Sequence, residues 1–313
     1  MIVYDSKKWT DVIRKMGQTF KQSYNLRQLA KFMAFLALYV IVITFLLVKY
    51  IKEYLVIEVV FFSLIGVILS LFLVFRLNSA YDRWWEGRKQ WGKLVNDSRT
   101  FALNLNALLP EEDKKRRRFF VRNISNFSLS LQNHLRDNKS IDEFIHVNAR
   151  YAEDLETSTH IPNRVVSYMY TEVEDMYREG IITDMDKHRL NERLQGFIDV
   201  LGACERIKKT PIPFSHSTFI KMFVILYLLI LPFGLVETFG FLAIPAVMIM
   251  GFALLSVELI SDEIENPFGL DANDLPLGSI SDGIRESCYE ILRVKSRFAT
   301  KPRVKEGELE VLH

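Results

Sequence analysis

VVFFSLIGVILSLFLVFRLNSAYDRWWEGR, residues 59 to 88, decides the fold: it holds neither proline nor a turn cluster, and its apolar run ending at Phe75 passes straight into Arg76, Arg83 and Arg88. About 17 uncharged residues at about 1.5 Å of rise each come close to a hydrocarbon core of about 30 Å. The stretch therefore reads as one helix that leaves a bilayer without stopping, an element able to carry a pore lining and its cytosolic mouth in a single rigid piece. Gly66 and Ser70 form a small-xxx-small pair, which lets helix backbones approach closely in lipid, so a neighbouring helix is expected on that side. Val67, Leu71 and Phe75 recur every fourth residue and drift about 40° per step, making one slanting apolar stripe. Periodicity by itself assigns such a stripe to lipid contact or core packing. Packed around an axis, the same stripe becomes a hydrophobic constriction that gates by dewetting.

The 313 residues are 49% hydrophobic and 25% charged, with the apolar residues in blocks, so the chain is expected to divide between lipid and water. Uncharged runs at Phe32 to Val48, Met222 to Val236 and Thr238 to Val257 join Val59 to Phe75 as four candidate spans. The third is short, and Ser217 to Ile220 extend it with Lys221 snorkelling to the interface. Ahead of the first span lie Lys7, Lys8, Arg14, Lys15, Lys21, Arg27 and Lys31 against Asp5 and Asp11, which by the positive-inside rule puts the N-terminus in the cytosol. A 2+2 arrangement follows: 1–27 cytosolic, 28–76 the first two spans, 77–216 a cytosolic helical block, 217–258 the last two spans, and 259–313 a second cytosolic segment. The opening residues are charged and the first apolar run lacks a small-residue cleavage site, so no secretory signal peptide is expected. A formal net charge of +2 gives no support for a nucleic-acid partner. Cys204 and Cys288 match no metal or redox spacing and read as buried or free thiols.

From Arg88 to Leu109 the spacing of Trp91, Leu94, Val95, Phe101, Leu103 and Leu105 predicts a helix with one buried side, ending at Pro110. Further helices are expected from Lys114 onward, over Asp142 to Leu155, Pro162 to Arg178, and Asp184 to Ile207 before the break Thr210-Pro-Ile-Pro-Phe214. Strand-like alternation is scarce, so the fold class is all-α. The basic run Lys114 to Arg118 reads as a solvated turn, with anionic headgroups as the sharper alternative. The histidines (134, 146, 160, 188, 216 and 313) show no HExxH spacing, and no P-loop, dinucleotide-binding or nucleophile-elbow pattern occurs. Hydrolysis and nucleotide-driven pumping therefore lack support, and no cofactor is expected. Glu258, Asp262, Glu263 and Glu265 fit either a hard cation or, more simply, a salt-bridged helix exit. Pro232 and Pro245 read as kinks in the third and fourth spans.

Four separated segments make the chain resemble the prokaryotic branch of the bestrophin family over nearly its whole length: FRLNSAYDRWWEGRKQWG (75–92), VLGACERI (200–207), TPIPF (210–214), and ENPFG (265–269) with NDLP (273–276). The resemblance implies a homopentamer of all-helical subunits around a central ion pore in a bacterial inner membrane, with the second membrane helix lining a narrow neck. Val67, Leu71 and Phe75 match the neck positions, which reverses the lipid-contact reading. Met185, in the Ile182-Thr-Asp-Met185 turn, matches a cytosolic aperture usually formed by a branched aliphatic. Animal members are calcium-activated through an acidic run directly after Asn-Pro-Phe-Gly. This chain reads Leu270-Asp-Ala-Asn-Asp274 there, which leaves Asp271 and Asp274 as weak metal candidates and no calcium gating of that kind.

The function expected from this is a passive channel with no chemical step, its partners being the bilayer, copies of itself and permeant small ions. Apolar rings gate it, the aperture filters by size, and wall charges bias the sign of the ion. The family favours chloride and other small anions. Selectivity for monovalent cations such as sodium is the alternative, with which the acidic exit helix is compatible. A carrier or membrane-anchored interaction module is the competing class, but the inverted repeats and midplane polar groups of carriers are not evident.

Overall fold

The computed structural model describes residues 24–50, 59–145, 147–271 and 273–295, in which all regular structure is helical. Most of the N-terminal basic cluster, the loop 51–58 and the segment from 296 onward lie outside the described residues. Nine α-helices follow in order among them: α1 Tyr24–Tyr50, α2 Val59–Leu108, α3 Lys114–Leu135, α4 Ala149–Glu156, α5 Ile161–Arg178, α6 Asp184–Lys209, α7 Phe214–Phe239, α8 Ala243–Glu265 and α9 Leu277–Ile291.

The continuous helix expected at 59–88 extends further, to Leu108, giving 50 residues and a length of about 75 Å. Two separate cores form along it. Its first part packs against α7 and α8, on which α1 also packs, in a core of Leu36, Val40, Phe62, Leu69, Leu73, Val224, Leu231 and Val247. Its second part packs with α3, α6 and α9 around Trp91, Leu94, Phe101, Phe120, Phe197 and Ile284, where the Phe101 ring meets Phe120 and Phe197 edge-on at 5.7 and 6.0 Å. Among the described residues, three stretches are long and apolar enough to cross a membrane: Leu26–Tyr50, Val60–Leu108 and Phe214–Glu265. The last comprises α7 and α8, joined by the short 3₁₀ turn Gly240–Leu242. Close approach is visible at Gly66, where a Cβ would lie 3.0 Å from the Tyr227 hydroxyl, and at Gly234, where it would lie 2.1 Å from the Phe62 ring. Ser70, by contrast, faces outward and donates back to the Gly66 carbonyl at 2.7 Å.

Several local expectations are corrected. The helix expected over Asp142 to Leu155 exists only as α4, because the buried Asn126 amide holds both the N–H of Ile145 (2.8 Å) and its carbonyl (3.2 Å), and Asn148 then caps Tyr151. Pro245 lies in the first turn of α8 and interrupts nothing, whereas Pro232 does lie inside α7. The Lys221 ammonium pairs with Asp262 at 2.5 Å. The basic run is not all solvated. Arg117 is buried and donates to the carbonyls of Asn106, Leu109, Pro110 and Leu292, satisfying oxygens at the ends of α2 and α9. Arg116 beside it bonds Glu172 and Glu179 at 2.8 and 2.7 Å, tying α3 to α5.

Candidate functional site

The residues matched to a neck share one face of α2 that, among the described residues, is left exposed. Val67, Leu71 and Phe75 are 70%, 53% and 54% exposed, and Val60 and Leu64 continue the face toward the helix start. On the opposite side Phe62, Leu69 and Leu73 are buried against the bundle, so the pattern follows the helical period. Beyond Phe75 the exposed face changes character without a break in the helix: Asn78, Asp82, Trp85 and Lys89 follow it, and the apolar stripe ends where the first polar side chain begins. Tyr81, Trp84 and Trp85 stack with centroids 6.1 to 6.5 Å apart, and Trp84 Nε1 donates to the Asn273 carbonyl at 3.0 Å.

One residue past Phe75, Arg76 is completely buried. Its Nη2 lies 2.7 Å from both Asp262 and Glu265, and its Nε is 3.9 Å from Glu258. Lys221 of α7 completes the group through Asp262 and, at 3.8 Å, Glu258. Arg83, two turns further along α2, donates to the carbonyls of Glu265, Ile207 and Thr210, and Glu265 accepts the Ile212 N–H at 2.9 Å. The acidic exit helix is thus a salt-bridged junction, as its spacing suggests, that clamps α2, α7 and α8 where the two cores meet. Its three carboxylates face two cations in direct contact and a third, Arg83, alongside, so the charges nearly cancel.

Met185 stands at the second position of α6, 71% exposed. The backbone under it is firmly held. Thr183 and Asp186 form a reciprocal capping box, and the preceding turn closes on Gly180, whose φ of +74° only glycine adopts freely; the Ile181 N–H reaches back to the Met176 carbonyl at 2.9 Å. A flexible tip thus rides on a rigid base.

In the loop after α8, Asp274 points inward and Asp271 outward. Asp274 Oδ2 accepts the Asp271 N–H at 2.7 Å, and Glu263 accepts both the backbone and side-chain N–H groups of Asn273. Burial, followed by the negative charges of Asp271 and Glu263, raises the Asp274 pKa to about 7 against the opposing pull of the Asp271 N–H and Arg136. A carboxyl turned inward and half protonated near neutrality is a poor ligand for a hard cation, and Leu270 beside it is exposed. Cys204 and Cys288 are buried and unpaired, and burial pushes both thiols up to about 12.

One group escaped the sequence. His134, His160 and Glu205, from the end of α3, the start of α5 and the body of α6, bring their donor atoms within 4.8 Å of one another. Burial works against the Glu205 charge, but hydrogen bonds from His160 and His134 hold it below the usual carboxylate range. No spacing rule connects positions so far apart, and only the packing of the three helices discloses them.

Among known proteins, residues 1–290 match the family described as Bacterial/Fungal Bestrophin protein. A voltage-dependent anion channel-forming protein of Nostoc sp. is 33% identical over 232 residues, 72% of this chain and 75% of the relative. Another of that description, from Ralstonia nicotianae, is 34% identical over 234 residues, 74% of this chain and 76% of the relative. A crystal structure of a bacterial Bestrophin homolog from Klebsiella pneumoniae, a point mutant, superposes with a TM-score of 0.78 at 28% identity, covering 84% of this chain and 98% of that one.

Proposed function

Because this chain belongs to the bacterial and fungal bestrophin family, we propose that it is a passive anion channel, built as a homopentamer with α2 of each subunit around a central pore. The observation that carries this reading is the uncovered face of α2, apolar through Phe75 and polar from Asn78, on one unbroken helix. Five copies facing an axis stack Val67, Leu71 and Phe75 as rings that must be wetted before an ion passes. Below them the side chains of the 77–216 block enclose a vestibule, and five copies of Met185 form its lower aperture. In this reading α1, α2, α7 and α8 are the four spans, with N- and C-terminal segments in the cytosol of a bacterial inner membrane.

The sign of the ion rests on the junction. Cation selectivity would draw on the acidic exit of α8, but Glu258, Asp262 and Glu265 are already engaged by Arg76, Lys221 and Ile212. Their field at the mouth is largely cancelled, which favours chloride and other small monovalent anions over sodium. The residues after Gly269 supply no calcium clasp, so opening does not depend on calcium.

Purified protein in a planar bilayer tests this directly. Bi-ionic reversal potentials should lie toward the anion equilibrium, and replacing Val67, Leu71 and Phe75 together by Ala should raise open probability or conductance. Unchanged currents in a folded triple variant would remove the neck assignment. A reversal potential tracking sodium would establish the cation alternative, and silence from intact assemblies would favour the interaction module.

A further inference from the structure

The imidazoles of His134 and His160 both direct Nε2 at a single oxygen, Glu205 Oε1, at 2.6 and 3.0 Å, with ring centroids 4.5 Å apart. The other carboxylate oxygen, Oε2, lies 3.8 Å from the Lys209 ammonium. Around a tetrahedral ion with bonds of about 2.0–2.2 Å, ligand atoms are about 3.3 Å apart, so these two contacts need to open by well under an ångström. The side chains are between one-fifth and one-third exposed, which leaves an entry path. A cavity of about 30 Å³ borders His134, with Asn133, Ser158 and Thr159 among its other walls, and has room for one water.

The geometry points to a divalent transition-metal site formed by His134 Nε2, His160 Nε2 and the Glu205 carboxylate, with water as the fourth ligand, stapling α3, α5 and α6 together. Two imidazoles and one carboxylate suit zinc, cobalt or nickel, whereas calcium and magnesium favour sets made wholly of oxygen. Binding has one local cost. His160 Nδ1 accepts the Asn163 N–H at 3.4 Å, and a metal on Nε2 moves the remaining ring proton to Nδ1, so this long capping contact is exchanged for a metal bond. The site lies away from the proposed neck residues and does not depend on the pore reading.

The test uses the tag-free full chain in detergent, stripped with a chelator and titrated with Co²⁺ under visible absorption, then with Zn²⁺ in competition. A single saturable ion per chain is expected, with the intense bands of low-coordinate cobalt and displacement by zinc in the micromolar range. Affinity should fall at least about tenfold in His134→Ala and in Glu205→Gln, the latter keeping the size and hydrogen-bonding capacity of the side chain. His188→Ala, at a surface pair with Glu192, should leave it unchanged. Thermal melts identify variants that remain folded. No saturable binding in the micromolar range, a spectrum of purely octahedral cobalt, or binding undiminished in folded Glu205→Gln would each overturn the assignment.

Discussion

Replacing Arg76 by Met is the perturbation whose outcome follows most directly from the geometry. The side chain is 1% exposed, with Asp262 and Glu265 at 2.7 Å and Glu258 at 3.9 Å. Met keeps much of the volume but leaves three carboxylates facing Lys221 and the more distant Arg83. Breaking a buried ion pair from one side typically costs about 3–5 kcal/mol, because the orphaned charge stays behind. With an unfolding entropy of about 2.1 cal/mol/K per residue, that predicts a melting temperature lowered by about 5–8 °C, read by intrinsic fluorescence in detergent. Arg76→Lys keeps the charge but not a nitrogen shared between two carboxylates, and should fall between wild type and Met. The decisive arm is Arg76→Met combined with Asp262→Asn, which leaves two carboxylates against two cations and should recover more than half of the loss. A single variant that melts with the wild type, or a double variant less stable than the single, would refute the idea that charge balance at this junction holds α2 to α8.

Other outcomes follow from the same structure. Asp274 keeps its proton in the folded chain up to about pH 7, well above its ordinary value of 3.8, so stability should fall as pH rises between those values and level off above them. Asp274→Asn preserves an acceptor for the Asp271 N–H; melting curves against pH should lose that slope and gain about 1–3 kcal/mol at pH 8. Met185→Ala should change permeability ratios among ions of different size more than open probability, and a shift in gating with unchanged ratios would displace Met185 from the aperture. Currents in a chelator and in micromolar free calcium should be alike, whereas a reversible rise abolished by Asp274→Ala would show a working clasp.

What could be read from the sequence depended on whether the signal was local. The long helix was legible because fifty residues without proline leave nothing to stop it, and the acidic exit was legible because carboxylates one turn apart share a face. The extent of α4 was not, since a helical pattern at Asp142 to Leu155 says nothing about an Asn126 side chain that captures the Ile145 backbone. Arg117 likewise looked like one more surface charge until the ends of α2 and α9 supplied carbonyls around it. The neck residues carried a helical period but no indication of what they face, and resemblance rather than periodicity assigned them a role. The His134, His160 and Glu205 group was invisible for the simplest reason: three helices contribute one ligand each.

The length of α2 limits how the gate proposed on it could move. Arg76 and Arg83 pin the helix nearer one end, with Val67 about 14 Å above Arg76 and Leu108 about 48 Å below it. Treated as a rigid lever on that fulcrum, a retraction of about 1 Å at Val67 swings Leu108 by about 3.5 Å the other way. Trp91, Phe101 and Leu105 along the long arm are fully buried in a close-packed core that has no room for such a swing. Tilting is therefore the costly route to a wider neck. Turning the upper segment about its own axis, or swinging the Leu71 and Phe75 side chains aside, would dilate the proposed neck while the foot of the helix stays where it is.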